Sequence, residues 1–389
     1  TGNSRTASCS TSGLTMGYHS LTAIYSGDAA NLQSSSSAVA QVIRFPTNDD
    51  PGNQIRFSTL AQALARRQQL INFIWTSGLP STLPIATPIT NGSVFADHLS
   101  AVDPSLVNEV WRLESNVSGF DFWSTSYLLR PVNQAKAHRL VVVHQGHSPA
   151  STPLDSGIDR TVNVFLQEGF SVAIMQMPMF GWNSDNTASL PVQGVIQYAN
   201  HDELITQTGP ASGGHGFRLF IEPIIQNINY FATLVASPDV SMIGISGGGW
   251  STSMAAAIDP RVRLSIPVAG SAPLYSRNLD PMSYGDVEQY YFPLFAEDIS
   301  PTGLGGGVAT WLEIYTLSAL EPSRRQTMVT NSNDPCCFSG TFADSFKLIV
   351  SQTVGTLSGG SWTYVRDATT SVHEISVSTL NDVILPAIR

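Results

Sequence analysis

The segment that most restricts this chain is Val240-Ser241-Met242-Ile243-Gly244-Ile245-Ser246-Gly247-Gly248-Gly249-Trp250. A short apolar run of strand character passes into glycines and then into residues 251–257, which read as a helix. Gly244-x-Ser246-x-Gly248 at such a strand-to-helix turn presents a serine hydroxyl at the edge of a sheet, because a side chain at either flanking position would strike a neighbouring element. No Gly-Lys-Ser/Thr follows, so a phosphate loop is excluded. The plain alternative is a glycine-rich loop that only packs closely, and the strand before with the helix after favours the nucleophile.

A serine hydroxyl attacks only when a base takes its proton, and a carboxylate must hold that base's tautomer. Of the 8 histidines, at positions 19, 98, 138, 144, 147, 201, 215 and 373, only His373 follows Ser246. In the chain order serine, acid, histidine this makes His373 the expected base; the alternative is a surface histidine. It lies between a strand-like 361–367 and a terminal helix expected over 375–388. Aspartates at 259, 280, 286, 298, 334, 344 and 367 separate the two. Residues 326–330 read as a parallel strand, and Asn331-Ser332-Asn333-Asp334-Pro335 as the loop at its carboxyl end, where ligand-binding and catalytic groups gather. Asp334 is therefore the expected acid, Asp367 the runner-up, and a turn-forming Asp-Pro the plain alternative.

The oxyanion of an acyl transfer needs two preorganised N–H donors, each contributing roughly 2.7–4 kcal/mol. One is expected from Gly247. The second should come from Val141-Val142-Val143-His144-Gln145-Gly146-His147-Ser148, with Gln145 or Gly146 favoured over His147. His144 and His147 stand three apart, as metal ligands can, but no acidic third donor is near in sequence, so neither metal nor cofactor is expected. Residues 271–322 are aromatic and locally acidic, through Tyr284, Asp286, Glu288, Tyr290, Tyr291 and Trp311 among others. This insertion either offers a pocket or buries its aromatics on the main domain. Candidate pocket residues are His147, Trp250, Tyr284 and Glu288, with Trp250 favoured as core.

Upstream, a helix is expected over 58–75, capped by Ser58, with Leu60, Leu64, Leu70, Phe73 and Ile74 as its apolar face and Arg66-Arg67 mostly outside it. A proline-rich stretch, 78–88, breaks it. Strands at 107–113 and 122–130 read as antiparallel. Strands at 139–144, 171–175, 240–245 and 262–268 then alternate with helices at 159–168, 217–235 and 251–257. Such alternation argues for the α/β class, with a mostly parallel sheet and helices on both faces. The elbow, the acid loop and the late histidine, in this order, resemble the α/β-hydrolase superfamily over roughly residues 105–389. Met177-Pro178-Met179-Phe180-Gly181 is similar to a turn in many members, and the 144–148 loop resembles their His-Gly-Gly type with Gln145 in place of the first glycine. The resemblance implies that fold, catalytic roles for Ser246, Asp334 and His373, and a cap at 271–322. It does not specify a substrate.

Residues 1–43 differ from the rest. Positions 14–25 alternate apolar and polar side chains, Ser26-Gly27-Asp28 supplies a turn, and 37–43 reads as another strand. Gly17, His19, Thr22, Ala23, Tyr25, Ser26, Gly27 and Asp28 resemble the closing stretch of bacterial Ig-like repeats. A complete sandwich needs about 100 residues, so 1–43 is expected to be the C-terminal part of one, with its first strands upstream of Thr1. That residue is not a start methionine and reads as a processed or trimmed beginning. The segment should pack on the next domain or on a neighbour. The expected division is 1–43 and 44–389, with 44–105 as a helical extension of the catalytic domain.

Only 12% of residues are charged, with 19 Lys+Arg against 29 Asp+Glu, where about 25% charged is usual. No basic cluster is denser than Arg66-Arg67 or Arg324-Arg325, which argues against nucleic acid binding. No apolar run approaches the roughly 20 residues of a membrane span. Cys9, Cys336 and Cys337 are too few for a disulfide framework, and the adjacent pair reads as two small buried hydrophobes in preference to a ring disulfide. The uncharged Ser/Thr-rich composition and the Ig-like stretch point to a secreted protein, on a bacterial cell surface or free. The expected activity is ester hydrolysis through an acyl-enzyme, on carbohydrate-linked or polymeric esters. A peptidase or acyltransferase of the same fold, or a silent binding module, are the alternatives. Oligomeric state is left open.

Overall fold

The computed structural model describes residues 8–11, 14, 17–43, 50–90, 92–148, 154–184, 187–190, 194–208, 214–277, 285–295 and 307–389. Near the N-terminus, β1 (Gly17–Leu21), β2 (Ile24–Tyr25), β3 (Ser34–Ser35) and β4 (Val39–Ile43) form two antiparallel pairs, β1 with β4 and β2 with β3. The single strand expected over 14–25 is broken after Leu21 into β1 and β2, and the turn falls at 28–31, later than Ser26-Gly27-Asp28, because the Asp28 carboxylate accepts the backbone N–H groups of Ala30 and Asn31, both at 2.8 Å.

The main sheet has nine strands. They are β5 (Ile85–Ile89), β6 (Val107–Val117), β7 (Phe122–Pro131), β8 (Lys136–His144), β9 (Phe170–Met175), β12 (Asp239–Ile245), β13 (Val262–Val268), β14 (Arg325–Asn331) and β15 (Ser361–Asp367). A separate hairpin pairs β10 (Thr187–Leu190) with β11 (Gly194–Gln197). Across the main sheet the order is β15-β14-β13-β12-β8-β9-β7-β6-β5. Neighbours from β15 to β9 are parallel, and β9 to β5 antiparallel. Central strands buried on both faces need continuous apolar runs, and β8 supplies one: Leu140, Val141, Val142 and Val143 are at most 1% exposed. Leu140 and Val142 point into one core, and Val141 and Val143 into the other.

The helices are α1 (Leu60–Ile74), α2 (Ser93–Asp97), α3 (Ile158–Gln167), α4 (His201–Thr208), α5 (Arg218–Leu234), α6 (Gly247–Ile258), α7 (Leu274–Arg277), α8 (Phe292–Phe295), α9 (Trp311–Ser318), α10 (Lys347–Ser358) and α11 (Leu385–Ile388). Residues of α1, α5, α6, α9 and α10 cover one face of the sheet; α3 and α11 cover the other. Every side chain of α6 is buried. The mostly parallel α/β architecture is the one expected from the alternation of strands and helices.

Several local expectations are corrected. The cap of α1 is Thr59, not Ser58, because Gln62 at the third helical position returns a bond to the Thr59 backbone and completes a capping box. The buried face of α1 is Ala63, Arg67, Leu70, Ile71 and Ile74, with Leu60 and Leu64 exposed. Arg67 is buried because its guanidinium donates to the carbonyls of Ala257 at 2.9 Å and Leu317 at 3.0 Å. These carbonyls end α6 and α9, where helices have no internal donor to offer them. Arg324 does the same work beside it, donating to Leu317, Leu320 and Val262 carbonyls at 3.0–3.2 Å. The two arginine pairs thus help to join helices rather than decorate a surface. The break at 78–88 also contains the start of an edge strand, β5, which tolerates Pro88 because its outer side is unpaired. Helical structure near the C-terminus begins at Val377, not Ile375. In the 271–322 insertion, Trp311 is fully buried, stacks on Phe295 at 4.8 Å and donates to the Gln289 carbonyl at 3.0 Å. Among the described residues of the insertion, Phe295 and Trp311 are core, with Tyr290 and Tyr291 half-buried against it.

Arg324→Met removes the donor from several buried carbonyls while keeping the apolar stem. It should cost on the order of 3 kcal/mol in chemical denaturation, and a change within experimental scatter would contradict this account.

Candidate active site

Ser246 sits between β12 and α6 with φ 57° and ψ −126°. A non-glycine residue in this region is strained by roughly 1–3 kcal/mol, so its surroundings must hold it. Its N–H donates to the Val268 carbonyl at 3.0 Å, and its carbonyl accepts from Trp250 at 3.0 Å. The turn has no room for flanking side chains. A Cβ on Gly244 would lie 2.2 Å from the Gly248 carbonyl oxygen, and one on Gly248 would lie 2.1 Å from that of His144.

Asp334 lies in the loop after β14, and His373 in the loop after β15. The His373 Nδ1–H donates to Asp334 Oδ2 at 2.6 Å, which leaves Nε2 buried and without a hydrogen-bond partner. The other carboxylate oxygen, Oδ1, accepts from the backbone N–H groups of Cys336 at 2.8 Å and Cys337 at 3.3 Å. Burial pushes the Asp334 carboxyl up, but the His373 bond and these N–H groups outweigh it and hold it below the ordinary value. Asp367 makes no such bond. It accepts from Thr369 N–H at 2.7 Å, Thr369 Oγ1 at 2.6 Å, Thr379 Oγ1 at 2.7 Å and Ser376 Oγ. It therefore ties together the loop that carries His373.

On the far side of Ser246, Gly146 approaches so closely that a Cβ there would lie 2.6 Å from the serine Cβ and 3.2 Å from the Gly247 nitrogen. Gln145, favoured equally from sequence, has its N–H committed to the Met175 carbonyl at 2.9 Å, and its side chain donates to Asp155 at 2.6 Å. The bond from the Gln145 N–H joins the loop to β9, so Gly146 and Gly247 are the backbone groups beside the serine. Asp155, which no sequence motif marked, also accepts from Ser148 and Ser156 hydroxyls at 2.6 and 3.2 Å and so anchors the loop. His144 is buried, donates from Nδ1 to the Gln145 carbonyl at 2.8 Å, and is pulled down to about 4 by desolvation. It is neutral and structural.

Ser246, Gly247, Gln145, Gly146, His147, Glu288 and His373 line a cavity of about 360 Å³, with Asp286 and the Cys336–Cys337 pair at its wall. These cysteines are disulfide-bonded and not buried. Reading them as buried hydrophobes is corrected: turning both N–H groups onto Asp334 puts their side chains at the cavity. Trp250 does not reach it. It is fully buried against Phe217 and Phe220, with ring centroids at 5.8 and 5.7 Å, because α6 is covered by α5. Tyr284 lies outside the described residues. His147 gains the acidic partners that its local sequence lacks, in Asp286 Oδ2 at 3.0 Å and Glu288 Oε1 at 3.4 Å. Burial pulls its ring down, but these carboxylates overcome it and hold the imidazole at about 9. Glu288, with no exposed surface, is pushed up by desolvation and brought below the carboxylate range by His201 and His147.

No family model matches the sequence, and no curated protein matches it. Among solved structures the chain is similar to methylesterase BT1017, with a TM-score of 0.56 and 14% identity, covering 94% of this chain and 72% of that one. It is also similar to acetyl xylan esterase 1 from Thermoanaerobacterium sp. JW/SL YS485, with a TM-score of 0.51 and 16% identity, covering 86% of this chain and 95% of that one. The likeness is one of fold: this chain has the α/β-hydrolase fold.

Asp367 supplies a pH test of the loop. Its carboxyl is held below the ordinary value of 3.8, since bonds from Ser376, Thr369 and Thr379 outweigh the upward push of desolvation. A depressed carboxyl contributes stability above its unfolded value and loses it as pH falls through the folded one. Asp367→Asn should be less stable than wild type at about pH 7, and the gap should narrow below about pH 4. A gap that stays constant on acidification would contradict this.

Proposed function

We propose that the protein is a serine hydrolase of carboxylic esters that works through an acyl-enzyme. The observation that carries this reading is His373 held through Nδ1 by Asp334, with an unpartnered Nε2 lining the same cavity as the strained Ser246. In this mechanism His373 Nε2 takes the Ser246 proton as the hydroxyl oxygen attacks the ester carbonyl. Asp334 stays ionised and stabilises the imidazolium. The N–H groups of Gly146 and Gly247, the latter opening α6, receive the developing oxyanion. His373 then protonates the departing alcohol. Water, activated by the same nitrogen, releases the acid and frees Ser246.

A carbohydrate-linked or polymeric ester is the proposed substrate class, supported by the amide, hydroxyl and carboxylate side chains of Gln145, Ser148, Asp155 and Asp286 in the cavity lining and by the ester-cleaving activities named for the two structures of like fold. We further propose that the protein works outside the cytosol. The low charge, the Ser/Thr-rich composition, the Ig-like motif of residues 17–28 and the Cys336–Cys337 disulfide support that placement.

A panel of acetyl, methyl and longer acyl esters, with acetylated and methyl-esterified polysaccharides, tests the reading. Ser246→Ala should lose at least about a thousandfold in kcat. Asp334→Asn should lose nearly as much with its fold intact, and Asp367→Asn far less. Activity that survives in Ser246→Ala, or wild type that turns over no ester in the panel, would overturn the proposal.

A further inference from the structure

His147, His201, Asp286 and Glu288 come from three separate parts of the chain: the loop after β8, the first turn of α4, and the short segment before α8. Their ligand atoms all lie within 4.8 Å of one another. His147 Nε2 is 3.2 Å from His201 Nδ1, 3.0 Å from Asp286 Oδ2 and 3.4 Å from Glu288 Oε1. His201 Nδ1 is 3.4 Å from the same Glu288 oxygen and 3.9 Å from the Asp286 oxygen. A tetrahedron with metal–ligand bonds of about 2.0–2.1 Å has edges of about 3.3–3.4 Å. Five of the six edges, at 3.0–3.9 Å, approach that figure, and the two carboxylates lie within 4.8 Å of each other.

The protons in the cluster point the same way. The second ring nitrogen of His201, Nε2, lies 2.9 Å from the Pro178 carbonyl, which can only accept. Nε2 therefore carries the hydrogen, and in the neutral ring Nδ1 turns a lone pair toward Glu288. A carbonyl that fixes the tautomer of a metal-binding histidine in this way is the usual outer partner. Glu288 is fully buried: its Oε1 has only the two imidazole nitrogens beside it, at a long 3.4 Å, and its Oε2 has no hydrogen-bond partner. A buried carboxylate so weakly bonded is costly. Asp202 adds a third acid to the neighbourhood, accepting the Val287 N–H at 2.9 Å, so three carboxylates face two imidazoles. A dication would supply the missing positive charge.

We propose that His147, His201, Asp286 and Glu288 bind one transition-metal dication of the Zn2+ class. Two imidazoles and two carboxylates suit such an ion, and a full set of protein ligands marks a structural site. The ion pins residues 286–288 to the loop that carries Gly146. It thereby fixes one wall of the cavity next to Ser246, where the His147 ring already lies against Gly247. This site rests on the side-chain geometry alone and stands whether or not the protein cleaves esters.

The test reads metal, not turnover. The full chain, purified without an affinity-tag histidine run and without added metal, is analysed for metal content, then stripped with chelator and titrated with Zn2+ and Co2+. About one ion per chain is expected, with the intense visible absorption of tetrahedral Co2+ and a thermal midpoint that rises with Zn2+. His201→Gln and Glu288→Gln should each weaken Zn2+ binding by more than the roughly 10–100-fold that loss of an outer partner costs. His138→Gln, at an exposed histidine outside the cluster, should bind as wild type does. Should the variants fail to fold, the titrations of wild type still decide. No saturable binding, no tetrahedral Co2+ spectrum, or equal affinity in all three variants would overturn the site and leave a cluster held by protons.

Discussion

Ser246 occupies a backbone conformation that a residue with a side chain avoids, and the rest of the site is arranged around keeping it there. β12 and α6 meet at this residue with almost no chain between them. Gly244 and Gly248 touch each other's backbone, and Gly248 also meets the backbone of His144 at the end of β8. Two parallel strands and a helix are therefore locked at one point. The serine N–H and carbonyl are both bonded, so the strain is met by neighbours that cannot shift independently. α6 can hold its end of the turn because its whole surface is buried and its last carbonyls are capped by Arg67 and Arg324 from outside the helix.

The other groups arrive from loops at the carboxyl edge of the same sheet, where parallel strands direct their connections. Asp334 follows β14 and His373 follows β15, two strands that run side by side. Each loop has its own anchor. Consecutive N–H groups of the Cys336–Cys337 turn fix Asp334, and the Asp367 carboxylate gathers Thr369, Ser376 and Thr379 around His373. The loop after β8 is held by Asp155 in the same manner. In each case a carboxylate satisfied by nearby donors replaces regular secondary structure as the source of rigidity.

Much of this was readable in the sequence, for identifiable reasons. The β8, β12 and β13 strands are buried on both faces, so their apolar residues stood out. The Gly-x-Ser-x-Gly turn is local, and His373 was singled out by chain order alone. Asp334 could be preferred to Asp367 because the end of a parallel strand is a position that local sequence marks. The failures share a cause as well. The Gln145 N–H is not free beside Ser246 because it completes a pairing with β9, a contact no local pattern encodes. Arg67 was assigned to the outside of its helix because the carbonyls that bury it belong to α6 and α9. His147 seemed to lack acidic partners because Asp286 and Glu288 enter from an insertion far along the chain. What sequence periodicity cannot show is a polar group whose partner is distant.

The central claim is that Ser246 is a nucleophile activated by His373. Labelling with a fluorophosphonate, followed by peptide mass spectrometry, tests it most directly, because the probe reacts with a serine whose proton is being removed and needs no knowledge of the ester. The account predicts one adduct, on Ser246, in wild type and almost none in folded His373→Ala. No adduct on Ser246, or labelling that is unchanged when His373 is replaced, would contradict it.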